Sequence, residues 1–170
     1  MEERIIHIEW EGPCSLNQLN TLKDLRKDRG LYQIYGHHPV YGSSVLLYIG
    51  QTVGRTFGEK IEEYNFGGGS QEDRARIEIY VGRLKGATRT PSSDDWRNEI
   101  NWAEKLLIYV HAPAHNPQHM MEVDEADPRV CGARVLNWGC IRALRPEVSG
   151  RRWTKAAIDE ANDYKIYELP

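Results

Sequence analysis

The 170-residue sequence contains no apolar run that approaches the roughly 18 residues needed for a membrane-spanning helix. Residues 1–4 are mostly charged and lead into a predicted strand, which is not the pattern of a signal peptide. An odd number of cysteines without a paired spacing predicts reduced thiols rather than a disulfide scaffold; they are Cys14, Cys131 and Cys140. These absences predict a cytoplasmic protein with no membrane partner, and no repeat or linker divides the chain.

Hydrophobic residues make up 40% of the sequence and charged residues 28%, which is ordinary for a globular protein and predicts a single domain over residues 1–170. The net charge of −3 is not typical of a nucleic-acid-binding protein. Residues 129–155, however, hold seven basic residues and one acidic residue, a local net charge of +6. Such a segment can hold a phosphate backbone, although charge alone is equally compatible with a solvated face. The candidate substrate-binding residues here are Arg142, Arg145, Arg151 and Arg152.

Hydrophobic periodicity predicts strands and helices in alternation. The predicted strands cover residues 5–10, 30–36, 45–50, 76–84 and 130–136. A helix capped by Ser15 is predicted to end before Gly30, a second helix covers residues 57–64, and a third, capped by Asp94 or Asp95, is stopped by Pro113. Residues 141–153 are predicted to be irregular, residues 155–162 helical and residues 165–169 extended. The pattern predicts an α/β protein of the α+β type.

Two tyrosines lie in similar settings on the predicted hairpin formed by residues 30–36 and 45–50. Tyr32 follows Gly30-Leu31, and Tyr48 precedes Ile49-Gly50. Side chains on neighbouring strands can share one face of a sheet, so the two hydroxyls can point at one spot. Cross-strand aromatic packing explains the same pair without any chemistry, and residue types alone favour that interpretation. Polar residues further along the chain have to decide between the two.

Glu104 and Asn116 are the polar residues that decide between a chemical role and simple packing of the two tyrosines. Glu104 borders the apolar stripe of the predicted helix, and Asn116 lies three residues after Pro113. Together with the two tyrosine tripeptides and a short basic helix between them and Glu104, this order of motifs resembles the GIY-YIG nuclease superfamily over about residues 30–116.

The resemblance implies a small mixed three-stranded sheet flanked by helices, formed by residues 30–116. Residues 1–29 would then be an N-terminal strand–helix extension and residues 117–170 a basic C-terminal extension. It also implies metal-dependent hydrolysis of DNA phosphodiesters. By resemblance, Tyr32 and Tyr48 are the two family tyrosines, Glu104 is the metal-binding carboxylate and Asn116 is the positioning amide.

Elementary chemistry is compatible with such a site. One carboxylate can hold one Mg²⁺ or Mn²⁺, because Mg²⁺ keeps most of its waters and takes substrate phosphate as a further ligand. A tyrosine base is more demanding, since a pKa near 10 leaves about one part in a thousand ionised at pH 7, a cost of about 4 kcal/mol. A cation close to the tyrosines must offset that cost.

Two residues are candidates for this cation. The family helix commonly has an apolar residue, an arginine three residues later and a histidine or tyrosine four residues after that. Phe57, Lys60 and Tyr64 reproduce the spacing with lysine in the arginine position, and Arg55 lies five residues before Lys60. A lysine supplies charge but not a bidentate guanidinium. We therefore keep both Arg55 and Lys60 as candidate phosphate clamps and add Tyr64 to the candidate catalytic residues.

His111, His115 and His119 are spaced by four residues, but Pro113 and Pro117 interrupt a helix there, so a zinc site is not predicted. Two functions remain open. The first is a Mg²⁺-dependent DNA endonuclease. The second is a module of the same fold with weakened catalysis that binds nucleic acid or a protein partner. The sequence does not determine the oligomeric state.

Overall fold

A computed structural model of the chain describes residues 3–63, 76–85, 92–117 and 128–153. Within these ranges the strands are β1 (Arg4–Cys14), β2 (Leu31–His38), β3 (Gly42–Gln51), β4 (Glu78–Lys85), β5 (Ala133–Gly139) and β6 (Glu147–Ser149). The helices are α1 (Leu16–Thr21), α2 (Phe57–Glu63), α3 (Ser93–His111), α4 (Pro128–Cys131) and α5 (Gly150–Trp153). The predictions for residues 155–162 and 165–169 lie outside the described residues.

All six strands join one sheet in the order β3-β2-β4-β1-β5-β6. Neighbouring strands are antiparallel except β1 and β5, which are parallel. The predicted α+β class is confirmed, but the predicted three-stranded sheet is wrong. The extra strands are added at β4, whose second edge pairs with β1, and β1 in turn pairs with β5. Both pairings satisfy backbone groups that a smaller sheet would leave at a free edge.

The β2–β3 hairpin sets the position of the tyrosines. Tyr32 is paired with Gly50, and Ile34 with Tyr48, so Tyr32 and Tyr48 lie diagonally on one face. Gly42 and Ser44, among the first residues of β3, have positive φ angles of 91° and 59°, and this left-handed backbone lets the chain reverse. Both strands are longer than predicted, and β3 is an edge strand of the sheet.

The sheet separates two apolar clusters. On one face, β2 and β3 pack Leu31, Tyr35 and Ile49 against α3, which contributes Ile100 and Leu107. Alternation along the strands places Tyr32, Ile34 and Tyr48 on the other face, in a cluster with residues of α1 and α2. Burying one large apolar side chain contributes about 1.5–3 kcal/mol, so both clusters hold the hairpin in place.

Helix α1 is much shorter than the predicted helix, and the prediction is wrong beyond Thr21. The leucines of this segment, Leu16, Leu19, Leu22 and Leu25, recur at every third residue, a spacing that drifts around a helix of 3.6 residues per turn. Leu16 and Leu25 are accordingly 53% and 55% exposed, whereas Leu19 is buried. After Leu22 a separate turn forms, in which the Asp28 amide donates to the Asp24 carbonyl at 2.7 Å.

Helix α3 agrees with the prediction except at its first residues. Ser92 is the N-cap, and its hydroxyl accepts a hydrogen bond from the Asp95 amide at 3.2 Å. The helix ends at Ala112, which has a left-handed conformation directly before Pro113. The strand predicted over residues 130–136 begins later, as β5 (Ala133–Gly139), because residues 128–131 form α4. The segment predicted to be irregular contains β6 and α5.

Candidate active site

Tyr32 and Tyr48 lie side by side. Their ring centroids are 6.0 Å apart with an interplanar angle of 30°, and a side-chain hydrogen bond joins them. Tyr32 is only 1% exposed, whereas Tyr48 is half-buried. A Cβ atom on Gly50 would lie 2.5 Å from the Tyr32 hydroxyl oxygen and 2.6 Å from Tyr48 Cε1. Only glycine therefore leaves room for the two rings at this point.

Glu104 lies on helix α3, and its charge acts on Tyr48. Its neighbour Ala103 is buried in the cluster beneath the helix, so Glu104 lies at the margin of that cluster, facing β3. Its carboxylate accepts a hydrogen bond of 2.6 Å from Gln51 Nε2 at the end of β3. Helix α3 and strand β3 thus bring together two residues that are 53 positions apart in the sequence.

Burial determines the electrostatics of this group of side chains. It raises the pKa of Glu104 from 4.5 to about 7, although the hydrogen bond from Gln51 and the charges of Lys105 and Lys60 oppose the rise. Burial also raises the pKa of Tyr48, the negative charge of Glu104 raises it further, and the hydrogen bond with Tyr32 opposes both. Negative charge is therefore disfavoured on both Tyr48 and Glu104 in the protein alone.

The structure separates the two candidate cations. Lys60 is half-buried on α2, and its charge acts on Glu104. Arg55 is exposed in the turn before α2, and its charge acts on Glu59. Thr56 caps this helix in a capping box, in which its amide donates to the Glu59 carboxylate at 2.9 Å and its hydroxyl accepts from the Glu59 amide at 3.4 Å. Of the two candidates, Lys60 is the one whose charge acts on Glu104. Tyr64 lies outside the described residues.

Asn116 has a structural role at the edge of the sheet. Its Oδ1 accepts from the Ile49 amide at 2.9 Å, and its Nδ2 donates to the Ile49 carbonyl at 2.9 Å. The amides of Ala114 and His115 donate to the carbonyls of Leu46 and Leu47. This segment therefore covers the free edge of β3 beside Tyr48. Asn116 is 4% exposed, and its amide fixes the strand between the tyrosine and Gly50 rather than pointing at the hydroxyls.

Arg142 of the basic segment is held by residues of the sheet away from Tyr48. Arg142 donates to Glu78 Oε2 at 2.6 Å and to Ser44 Oγ at 2.9 Å. Its guanidinium also lies 5.0 Å from the ring centroid of Tyr35. Arg142 thus links the segment to the far end of the β2–β3 hairpin, with its charge compensated by Glu78. Arg145 and Arg151 are exposed, and the side chain of Arg152 lies outside the described residues.

Gln51 is the residue of the site that the sequence prediction missed. Alternation along β3 places it on the same face as Ile49, towards α3, although it is polar. A polar residue at a core-facing strand position was the available signal, because buried polar groups are normally hydrogen-bonded to a specific partner. Lys105, whose charge also acts on Glu104, had no comparable signal in the sequence.

The oxygen atoms of the site suit one hard cation. Among the described residues no group of three or more His, Cys, Asp or Glu side chains could hold a metal ion, so a multi-carboxylate or zinc centre is not formed there. Glu104 offers a carboxylate, and Gln51 Oε1 is a buried oxygen to which no described residue donates. Mg²⁺ can bind through one carboxylate and its own waters. The residues present therefore fit Mg²⁺ or Mn²⁺.

His111 is held by the fold. Its Nδ1 lies 2.8 Å from the Leu107 carbonyl oxygen, and its Nε2 accepts from the Arg145 amide at 2.9 Å. His115 packs against His38, with ring centroids 5.6 Å apart, and His119 lies outside the described residues. His111 and His115 therefore do not form half of a zinc site.

Comparison with models of known protein families, with curated proteins and with solved structures gives no match. In the part of the chain that the structure describes, no helix has the length and apolarity required to cross a membrane.

Proposed function

We propose that the chain is a Mg²⁺-dependent DNA endonuclease of the GIY-YIG type. The observation that carries the proposal is the position of Tyr48. It is hydrogen-bonded to Tyr32 and is close enough to Glu104 for the carboxylate to raise its pKa. Cross-strand packing alone would account for the two tyrosines but would not require a half-buried carboxylate whose charge acts on Tyr48.

The electrostatics of the site support a bound cation. A buried carboxylate whose pKa is raised to about 7 and a tyrosine whose pKa is also raised both disfavour negative charge. Positive charge placed between Tyr48 and Glu104 would favour the ionised form of each. When bound, Mg²⁺ supplies Lewis-acid stabilisation to a phosphate oxygen. Glu104 would hold the ion, and one ion would serve one site.

The accessibility of the two tyrosines suggests distinct roles. Tyr32 is 1% exposed, so we assign the contact with water to the half-buried Tyr48. Tyr48 acts as its phenolate, which takes the proton of the attacking water and becomes a neutral phenol, and the hydrogen bond with Tyr32 supports the phenolate before the transfer. Forming a phenolate at pH 7 costs about 4 kcal/mol for an ordinary tyrosine, and nearby positive charge has to supply that energy.

Lys60 is our preferred phosphate clamp because its charge already acts on Glu104. Its ammonium group would neutralise the charge that develops on the nonbridging oxygens. Arg55 remains the second candidate, since an exposed arginine can contact a phosphate further along the DNA. Candidate contacts to the DNA backbone are the exposed Arg145 and Arg151. Arg142 is a further candidate because of its position at the hairpin.

Nicking of supercoiled plasmid in the presence of Mg²⁺ or Mn²⁺ tests the proposal. The wild type is expected to convert supercoiled plasmid to open circles, and Glu104→Gln is expected to abolish this conversion. Glu99→Gln is the matched control, because Glu99 lies on the same helix but is paired with Arg4. Equal nicking by the wild type and Glu104→Gln would refute the assignment.

A DNA-binding module with weakened catalysis is the second candidate function. It is favoured by Asn116, whose amide oxygen and nitrogen each bond to the backbone of Ile49. It is also favoured by Arg142, whose charge is compensated by Glu78. A salt titration of DNA binding distinguishes the two functions. Binding that weakens steeply with salt, without any nicking, would support the module, and the absence of both activities would point to a protein partner.

A further inference from the structure

The side chain of Gln51 has two ends with different surroundings. Its Nε2 donates a hydrogen bond of 2.6 Å to Glu104 Oε2. Its Oε1 is buried, and no described residue donates a hydrogen bond to it. A buried acceptor without a donor is costly, so such atoms in a folded protein call for an explanation.

The orientation of the amide follows from its partner. A carboxylate only accepts hydrogen bonds, so the amide must turn its NH₂ group towards Glu104. The carbonyl oxygen is then forced to the opposite side, where it cannot be satisfied by the same partner. The unpartnered oxygen is therefore a consequence of how Gln51 holds Glu104.

A second buried glutamine provides a comparison on the same face of the sheet. Gln33 on β2 is paired with Ile49, and its Oε1 accepts a hydrogen bond of 2.6 Å from the Tyr35 hydroxyl. The atom of Gln33 without a described partner is the nitrogen, Nε2. Gln33 thus satisfies its oxygen within the chain, whereas the oxygen of Gln51, on the amide that holds Glu104, has no donor among the described residues.

We propose that Gln51 is a positioning residue of a divalent-cation site. Nε2 holds the Glu104 carboxylate in place, and Oε1 accepts a hydrogen bond from a water in the first hydration shell of the ion. Mg²⁺ keeps several of its waters when it binds protein, and residues that hydrogen-bond to metal ligands orient them. The inference rests on the proposed function, because it assumes that Glu104 binds the ion.

Mn²⁺ binding, measured by the EPR signal of the free ion and without any DNA, tests this inference. Gln51→Met removes both polar ends and is expected to weaken Mn²⁺ binding by roughly 10- to 100-fold, the usual effect of losing such a residue. Gln51→Asn keeps the amide but withdraws it by one methylene group, and it is also expected to weaken Mn²⁺ binding. Gln33→Met is the matched control and is expected to bind Mn²⁺ as the wild type does.

Thermal unfolding of the same variants separates a metal role from a structural one. Gln51→Met and Gln33→Met are both expected to lower Tm, but only the former is expected to lower Mn²⁺ affinity. Unchanged affinity in both Gln51 variants, or an equal loss in Gln33→Met, would overturn the inference. If Glu104→Gln abolishes binding while the Gln51 variants do not, only the role of Gln51 fails. If the wild type binds no Mn²⁺, both the role of Gln51 and the proposed metal-dependent function are refuted.

Discussion

Replacing Glu104 with glutamine should stabilise the protein at alkaline pH in the absence of divalent metal. Burial raises the pKa of Glu104 from 4.5 to about 7, a difference of about 2.5. Each pKa unit corresponds to about 1.4 kcal/mol, so the ionised carboxylate costs the folded state about 3 kcal/mol. A neutral amide avoids this cost and can still accept the hydrogen bond from Gln51.

The sign of the effect sets its pH dependence. Because the folded pKa of Glu104 is higher than the unfolded one, the folded state binds the proton more tightly. Ionised Glu104 therefore destabilises the folded state little below pH 4.5 and increasingly as the pH rises towards 7. The destabilisation reaches its full value above pH 7. Glu104→Gln should differ little from the wild type at about pH 4.5 and be more stable by up to about 3 kcal/mol at about pH 8.5.

Urea unfolding in EDTA at these two pH values measures the difference. Glu99→Gln serves as the control, because Glu99 is a buried partner of Arg4 and loss of its charge should destabilise the protein at pH 8.5. Addition of Mn²⁺ should then reduce the difference in the free energy of unfolding between Glu104→Gln and the wild type, because an ion that binds only the folded wild type stabilises it. Reduced stability of Glu104→Gln at pH 8.5 in EDTA would refute the reasoning.

Three further substitutions test the supports of the site. Asn116→Ala should lower the free energy of unfolding by about 1–3 kcal/mol, because two backbone groups at the edge of β3 lose their partner; no change in urea denaturation would contradict this. Burial lowers the pKa of His111 below 6.5, so wild-type stability should fall as the pH drops through that lowered value, and His111→Gln should show a weaker pH dependence. Gly50→Ala places a methyl group 2.5 Å from the Tyr32 hydroxyl oxygen, so it should lower Tm and abolish nicking if Tyr48 is displaced.

Local sequence patterns predicted the elements around the site better than the sheet that contains them. The hairpin was predicted with strands shorter than those of the structure, and helix α3, which has strong periodicity, formed close to its predicted bounds. The pairing of β1 with β5 joins residues such as Ile5 and Arg134. Nothing in the local pattern of either strand specifies a partner at that separation, so the six-stranded sheet could not be predicted.

In the site, too, local sequence patterns predicted some features, whereas tertiary packing determined the others. The border position of Glu104 followed from the apolar stripe of its helix, and the shared face of the tyrosines followed from alternation along the strands. The use of Asn116 by the backbone of Ile49 could not be predicted, because the path of the chain after α3 depends on tertiary packing. For the same reason, the sequence could not distinguish Lys60 from Arg55 as the cation near Glu104.

The central claim, that phosphodiester hydrolysis takes place at Tyr48, is tested most directly by single-turnover nicking of supercoiled plasmid with Tyr48→Phe. Tyr41→Phe is the matched control, because Tyr41 is 67% exposed and stacks on His38 at the hairpin tip. We predict that Tyr48→Phe nicks at least about 100-fold more slowly than the wild type, the usual effect of losing a general base. Tyr41→Phe should retain the wild-type rate. Equal rates for Tyr48→Phe and the wild type would contradict the account.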